Sequence, residues 1–465
     1  MIKKICSFIL FAFLSVNSVI GQVEDLPEEF TYEEFLAHVK KFHPLVKQAN
    51  LILSESEAKL LKARGAFDPK IQADFSKKDY HGYDYYSLFN GTFKIPTWYG
   101  IEIKAAFDNN EGVYLNPQNG TPSGGLTSLG VTVPVGQGLW INERMAELKK
   151  GKLYVELGSY EQTLAALEVI YEASVAYMDW KQNYEKVALY KAFLENAEIR
   201  LDWTKRSINL GGLASIDSVE TGINVKTRKL ELAQAELKLV KSRLELSNYI
   251  WTEDNIPLEL DERMIPQLEL TGQLVDILGV NPLEQEQVLE DHPKINALNT
   301  KIRIQEIDRK LKANSLLPKL ELSYNYLSEP DYFTDYEFED YKIGATFSFP
   351  IFLRKERASL RLAKIKLQDA EYGLQFQQES LQNKIRAQYQ ELDSYQGQVV
   401  LNEDLVASYQ QMLDAEVRLF EMGESSIFYV NTRENKLVKA KISNIELINT
   451  YLVSVLKLYK TLGRL

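Results

Sequence analysis

The 465-residue chain offers few side chains that could do chemistry, and they are badly placed for it. His38, His43, His81 and His292 form no HExxH or other close metal-ligand spacing, so no metal site is predicted. The single cysteine, Cys6, sits inside the apolar run Ile5 to Leu14, which leaves the rest of the chain without a thiol. Disulfides, thiol catalysis and cysteine metal sites are thereby excluded. No nucleophile elbow or spaced acid pair stands out, so neither an enzyme nor a cofactor is predicted. What remains is a set of residues at the ends of long helical blocks: Leu210, Gly211, Gly212 and Leu213, and Met422, Gly423 and Glu424. Glycine there can take the left-handed conformation that ends a helix, and it lets a partner approach the backbone closely. Asp414, Glu416 and Glu421 lie beside the second set; repeated around a symmetry axis, they would ring an aperture and favour cations.

The elements that hold those ends come next. None of the fourteen prolines falls between Val135 and Ile256, and none follows Pro350. Proline in a helix interior costs about 3 kcal/mol, so these two blocks predict two long helical units. In the second block, Leu374, Leu381, Ile385, Leu392, Tyr395, Val399, Val406, Tyr409, Leu413 and Phe420 recur at helical steps, with polar gaps such as Gln388. In the first, the stripe runs through Leu153, Leu157, Tyr160, Leu164, Leu167, Tyr171 and Met178. At about 1.5 Å per residue each long helix would reach ~100 Å, far beyond a globular core. The predicted spans are 143–207 returning at 215–251, and 355–422 returning at 426–462.

Residues 1–21 have the form of a signal peptide, with Lys3 and Lys4 before the apolar run, and Val19 and Gly21 before the cleavage point. Losing the two lysines takes the net charge from −11 to −13, a poor balance for binding nucleic acid. The remainder divides into two similar repeats, 22–281 and 282–465. Each opens with a helix, 30–64 or 282–313, that contains His-Pro (His43-Pro44, His292-Pro293) and ends in Leu-Lys-Ala before Pro-Lys. The histidines read as helix-start chemistry. Residues 252–281 form a Pro- and Gly-richer linker expected to pack outside the helices near mid-height.

After each Pro-Lys the period changes to two. Leu320, Leu322, Tyr324 and Tyr326, then Ile343, Ala345, Phe347 and Phe349, alternate with polar residues in a hairpin at 319–350. The first repeat has matching strands within 69–137, including Val131 and Val133. The extended segments at 85–107 between them either lengthen these strands or add a hairpin. Strands of this length suit an outer-membrane barrel or one sheet of a soluble sandwich. Tyr80, Tyr83, Tyr85, Tyr86, Trp98, Tyr99 and Trp140 fit an interfacial girdle or a general β-preference.

Taken together, the duplicated strand–strand–long-helix unit, the tips Arg206 to Gly211 with Ser215 and Arg418 to Gly423 with Ser426, and the end Tyr459 to Gly463 resemble the TolC family of outer-membrane efflux proteins. The likeness covers essentially all of the chain after the leader. Ile216-Asp217-Ser218-Val219 and Ile427-Phe428-Tyr429-Val430 depart from the family's usual tip run. The resemblance implies a mainly α fold with membrane β: a homotrimer sharing a twelve-strand barrel continuous with a periplasmic coiled-coil tunnel. Four strands cannot close a barrel alone, and an open edge in lipid leaves backbone groups unsatisfied. It further implies an outer-membrane exit duct of tripartite efflux or type I secretion. Its partners would be a periplasmic adaptor and an inner-membrane RND or ABC pump. The tip residues 210–213 and 422–424 would meet the adaptor, and Leu320, Leu322, Tyr324, Ile343, Ala345, Phe347, Val131 and Val133 would face lipid. An exported coiled-coil scaffold or adhesin is the rival reading, which leaves the two hairpins unexplained.

Overall fold

The computed structural model describes residues 29–274, residue 277, and residues 291–332 and 337–464. The predicted leader 1–21, most of 275–290 and the expected helix start at Pro282 lie outside the described residues.

Strand β1 (Glu29–Phe30) leads into α1 (Tyr32–Phe42) through a capping box, in which Thr31 accepts from the Glu34 amide and the Glu34 carboxylate accepts from the Thr31 amide at 3.1 Å. The single helix expected over 30–64 is two helices, because His43 is extended (ψ 130°) and Pro44 begins α2 (Pro44–Arg64). Proline has no N–H to continue a helix but suits the first turn of a new one. The His43 ring caps that turn, Nδ1 accepting from the Leu45 amide at 3.3 Å.

Six strands then form one antiparallel sheet in the order β2 (Lys70–Tyr80), β3 (Tyr83–Pro96), β4 (Glu102–Glu111), β5 (Leu126–Gly136), β7 (Lys319–Ser328) and β8 (Tyr341–Ser348). The segments at 85–107 therefore add a hairpin, and each chain brings six strands instead of the four on which a twelve-strand trimer would be built. The apolar alternation of those segments supports ladders on both sides, which a bulge within a longer strand would not. Short β6 (Ile265–Pro266) pairs in parallel with β1 and ties the linker to the first helix.

The helices are α3 (Glu143–Asn209), α4 (Ser215–Ser247), α5 (Pro293–Asn314), α6 (Arg354–Glu421) and α7 (Ile427–Thr461). With 67 and 68 residues, α3 and α6 each span about 100 Å. Near the sheet, α2 and α5 flank α3, and α5 also packs on α6. Toward the far end the neighbours run α4, α3, α7, α6. The joints between upper and lower partners are duplicated. Tyr249, just after α4, stacks on His43 at 5.4 Å, while His292 Nε2 lies 3.0 Å from the Thr461 carbonyl at the end of α7. His292 repeats the cap of His43, its Nδ1 accepting from the Lys294 amide at 3.1 Å.

The predicted stripes are the packing faces. Leu153 and Leu157 of α3 meet Ala297 and Ile304 of α5, and lower down Phe193 of α3 and Leu413 of α6 meet Val430, Leu437 and Val438 of α7. Each buried Leu, Ile, Val or Phe among these contributes about 1.5–3 kcal/mol. The largest core lies at mid-height, where Tyr32, Phe35 and Val39 of α1 pack with Tyr177, Met178 and Trp180 of α3, Leu270 and Leu274 of the linker, and Leu452 and Tyr459 of α7. The Tyr32 hydroxyl donates to Ser174 at 2.8 Å and the Tyr177 hydroxyl to the Phe30 carbonyl at 2.6 Å. Small residues let α2 approach α3: a Cβ on Gly158 would stand 2.3 Å from the Ser56 hydroxyl.

Candidate functional site

The register of the sheet sorts its side chains into two faces. One cross-strand row reads Ile71, Phe93, Ala105, Leu129, Tyr326, Tyr341; the neighbouring row reads Lys70, Lys94, Lys104, Gly130, Asn325, Lys342. The eight residues expected to face lipid fall on the first face, with Val131 opposite Tyr324 and Ile343, Val133 opposite Leu322 and Ala345, and Leu320 opposite Phe347. That apolar face is the open one: Ile71 is 84% exposed, and Phe75, Ile343 and Phe347 are similarly bare. Ala106, Asn110, Gly130 and Pro134 on the opposite face are buried, so the sheet curls with its polar face inward. A sheet stable in water hides its apolar side. This one displays it, which is the arrangement lipid requires.

Aromatic side chains collect at both ends of the apolar band. Tyr80, Tyr83 and Tyr85 flank the β2–β3 turn, where Tyr85 packs on Tyr114 at 4.7 Å. At the helix end, Trp98 stacks on Phe67 at 5.8 Å, and Tyr99, Trp140, Ile351 and Phe352 are exposed. Between sheet and helices the joint is polar. Asn142 caps α3 by accepting from the Met145 amide at 2.8 Å and also donates to the Trp98 carbonyl at 3.0 Å. Asn314 at the end of α5 donates to the Ile141 carbonyl at 2.8 Å, and Arg144 pairs with Glu102 at 2.9 Å.

The two tips are built alike. Gly211 and Gly423 have φ of +79° and +80°, and the same bond closes each helix: the Gly212 amide donates to the Ser207 carbonyl and the Glu424 amide to the Leu419 carbonyl, both at 2.9 Å. Leu210 is 87% and Met422 65% exposed, with Gly211, Gly212, Gly423 and Glu424 also open and Leu213 half-buried. The three acids separate. Asp414 and Glu421 are exposed, whereas Glu416 accepts from Arg433 at 3.3 Å and from the Ser425 hydroxyl. The Ser425 hydroxyl, with Arg433, holds the Glu416 carboxyl below its ordinary range. Glu416 is thus spent within its own chain and braces α6 against α7.

A polar lock just above the tips was not foreseen. Arg200 of α3 grips Glu434 of α7 with two bonds of 2.9 and 2.8 Å, and Glu434 is only 1% exposed. Asn224 of α4 donates to Asn431 at 3.1 Å and to Glu434 at 3.3 Å. Buried Arg228 completes it through Glu231 at 2.6 Å and through Asn435. The available signal was the polar pair Asn224 and Arg228, one turn apart, with Asn431 and Glu434 facing them at core spacing. Among the described residues no cluster of metal-ligating side chains occurs, and no helix is long and apolar enough to cross a membrane.

Comparison with known proteins agrees with this geometry. Residues 285–464 match the family described as "Outer membrane efflux protein". The "Outer membrane efflux protein BepC" of Brucella suis biovar 1 is 22% identical over 306 residues, covering 64% of this chain. The chain spans 63% of that relative's length. Among solved structures, the CmeC outer membrane channel of Campylobacter jejuni superposes with a TM-score of 0.64 at 16% identity, over 92% of this chain and 85% of the other. The open state of the MtrE outer membrane channel of Neisseria gonorrhoeae gives 0.65 at 13% identity, over 93% and 88%. At these identities the structures show the fold alone. The family match covers less than half of the chain, and the likeness to these channels is one of fold.

Proposed function

We propose that the protein is a passive exit duct of a tripartite efflux or type I secretion system. Cargo would enter at the helix tips in the periplasm and leave through the barrel. The observation that carries this reading is the inverted sheet, apolar outside and polar within, set on helices about 100 Å long.

The duct is completed by further copies of the chain. One flank presents Leu51 and Leu61 of α2 above Ile216, Val219, Ile223, Leu230 and Leu237 of α4, all exposed at helical spacing. The other flank presents Leu362, Ile365, Tyr372 and Phe376 of α6, then Leu401, Leu405, Met412 and Leu419 toward the tip. α4 runs away from the tip and α6 toward it, so the two stripes meet antiparallel at matching heights in a head-to-tail ring. The resemblance to trimeric efflux channels sets the number at three. Around the tips, Leu210 and Met422 with the open glycines offer a small apolar surface for a periplasmic adaptor, which would bridge to an RND or ABC pump in the inner membrane. Asp414, which accepts from Gln410 of its own helix at 2.9 Å, and Glu421 are exposed and would line an aperture.

Purified trimer in a planar bilayer should give discrete conductance steps, and the protein should fractionate with the outer membrane. A protein that is monomeric, soluble and silent in the bilayer would refute the duct and favour the scaffold reading.

A further inference from the structure

We infer that the additional hairpin, β3 with β4, is part of the barrel wall, so that three copies close a cylinder of eighteen strands. The inference rests on the trimeric duct proposed above and deepens it by setting the bore.

Three observations carry it. First, the ladder is unbroken: β3 pairs with β2 over Lys70–Tyr80 and with β4 over Glu102–Glu111, and β4 pairs with β5 over Leu126–Thr132. Second, the alternation keeps phase across all six strands. The apolar row through Ile71, Phe93, Ala105, Leu129, Tyr326 and Tyr341 adjoins the polar row through Lys70, Lys94, Lys104, Gly130, Asn325 and Lys342. A plug folded into the lumen, or a flap lying on the outer surface, would have no reason to hold that phase; a wall segment with lipid on one side and water on the other must. Third, the sheet's two edges match. Every residue of β2 and of β8 is exposed, β2 leads away from α2 and β8 returns into α6, so β8 of one copy and β2 of the next run antiparallel. Lipid does not tolerate an unpaired edge, and a second copy supplies the missing partner to each.

The count sets the size. With strands about 4.8 Å apart and tilted by about 40°, each occupies roughly 6.3 Å of circumference. Eighteen strands give a backbone diameter of about 36 Å, against about 24 Å for twelve. After allowance of about 5 Å for side chains on each side, the open cross-section is roughly threefold larger, in the range of barrels that hold a water-filled channel. The added strands also bring two of the four lysines in the polar row, Lys94 and Lys104. The barrel is therefore a wide, wet vestibule.

Because Cys6 is the only cysteine, replacing it by alanine lets single introduced cysteines be read without background. We would place them at Phe93 and Ala105 on the apolar row and at Lys94 and Lys104 on the polar row, in the full-length protein in outer-membrane vesicles opened to both sides. A charged, membrane-impermeant maleimide should label the lysine positions and spare the other two, with at least a tenfold difference in rate. Cryo-electron microscopy of the trimer in nanodiscs should count eighteen strands. A trimer with twelve wall strands, or equal labelling at all four positions, overturns the inference and leaves the duct intact. Absence of a membrane-inserted trimer overturns both.

Discussion

Replacing Glu434 by alanine should loosen the tip of the bundle far more than a surface substitution would. In the intact protein the carboxylate takes both guanidinium bonds of Arg200 and a third from Asn224, with side-chain exposures of 2% for Glu434 and 17% for Arg200. Removing one member of a buried ion pair costs about 3–5 kcal/mol, because the other charge is left without a partner. Arg200 keeps some contact with water, which places the expected cost near the lower end, about 3 kcal/mol. At 1.4 kcal/mol per factor of ten, hydrogen exchange in the first half of α4 and the first turns of α7 should accelerate by roughly 150-fold, with the mid-height core unaffected. Exchange followed by mass spectrometry on the detergent-solubilised protein reads this directly. Replacing both partners by apolar residues, Arg200→Met with Glu434→Leu, should restore exchange to within about 1 kcal/mol of the starting protein. An acceleration below fivefold for Glu434→Ala, or a double replacement as loose as the single, would refute the claim that this pair holds three helices together.

Further tests are simpler. Gly423→Ala should lower local tip stability by about 1 kcal/mol through its positive φ alone, since a Cβ there meets no atom within 4 Å; chemical denaturation of the tip-exchange signal would measure it. Ser174→Ala leaves the Tyr32 hydroxyl buried without its 2.8 Å acceptor and should cost about 1–3 kcal/mol in thermal stability. Burial holds His43 and His292 below the ordinary histidine range, so both stay neutral in the folded protein. The unfolded chain takes up protons first as pH falls below about 6.5, so stability should drop from there downward and be flat above it. Replacing both histidines by asparagine, which can still cap, should weaken that dependence in melts between pH 5 and 8, leaving the share of His38, which burial also holds low.

The long helices were legible because their apolar stripes and terminal glycines are local signals. Leu413 and Phe420 announce the same face that Val430 and Leu437 cover. The His-Pro steps were legible as helix starts, yet the break at His43 was read through, since a proline at the first turn leaves the flanking periodicity untouched. The alternation at 85–107 showed extended chain but not its neighbours. Pairing depends on residues such as Lys104 finding Gly130, and nothing within either strand specifies that choice. The polar lock lay further out of reach, because Arg200 and Glu434 stand 234 residues apart in the chain. Glu416 shows the converse: its charge suggested a pore-facing role, and only Arg433 and Ser425 reveal that it is occupied.

The duplicated histidine joints carry a mechanical meaning. α3 and α6 run unbroken from sheet to tip, while their companions are each cut at mid-height, α4 from α2 and α7 from α5. A torque applied at the tips would therefore travel upward along only half of the rods. In the proposed duct the severed half would act as a set of hinges at the belt, letting the lower part swivel while the upper part, fastened to the sheet, keeps its shape.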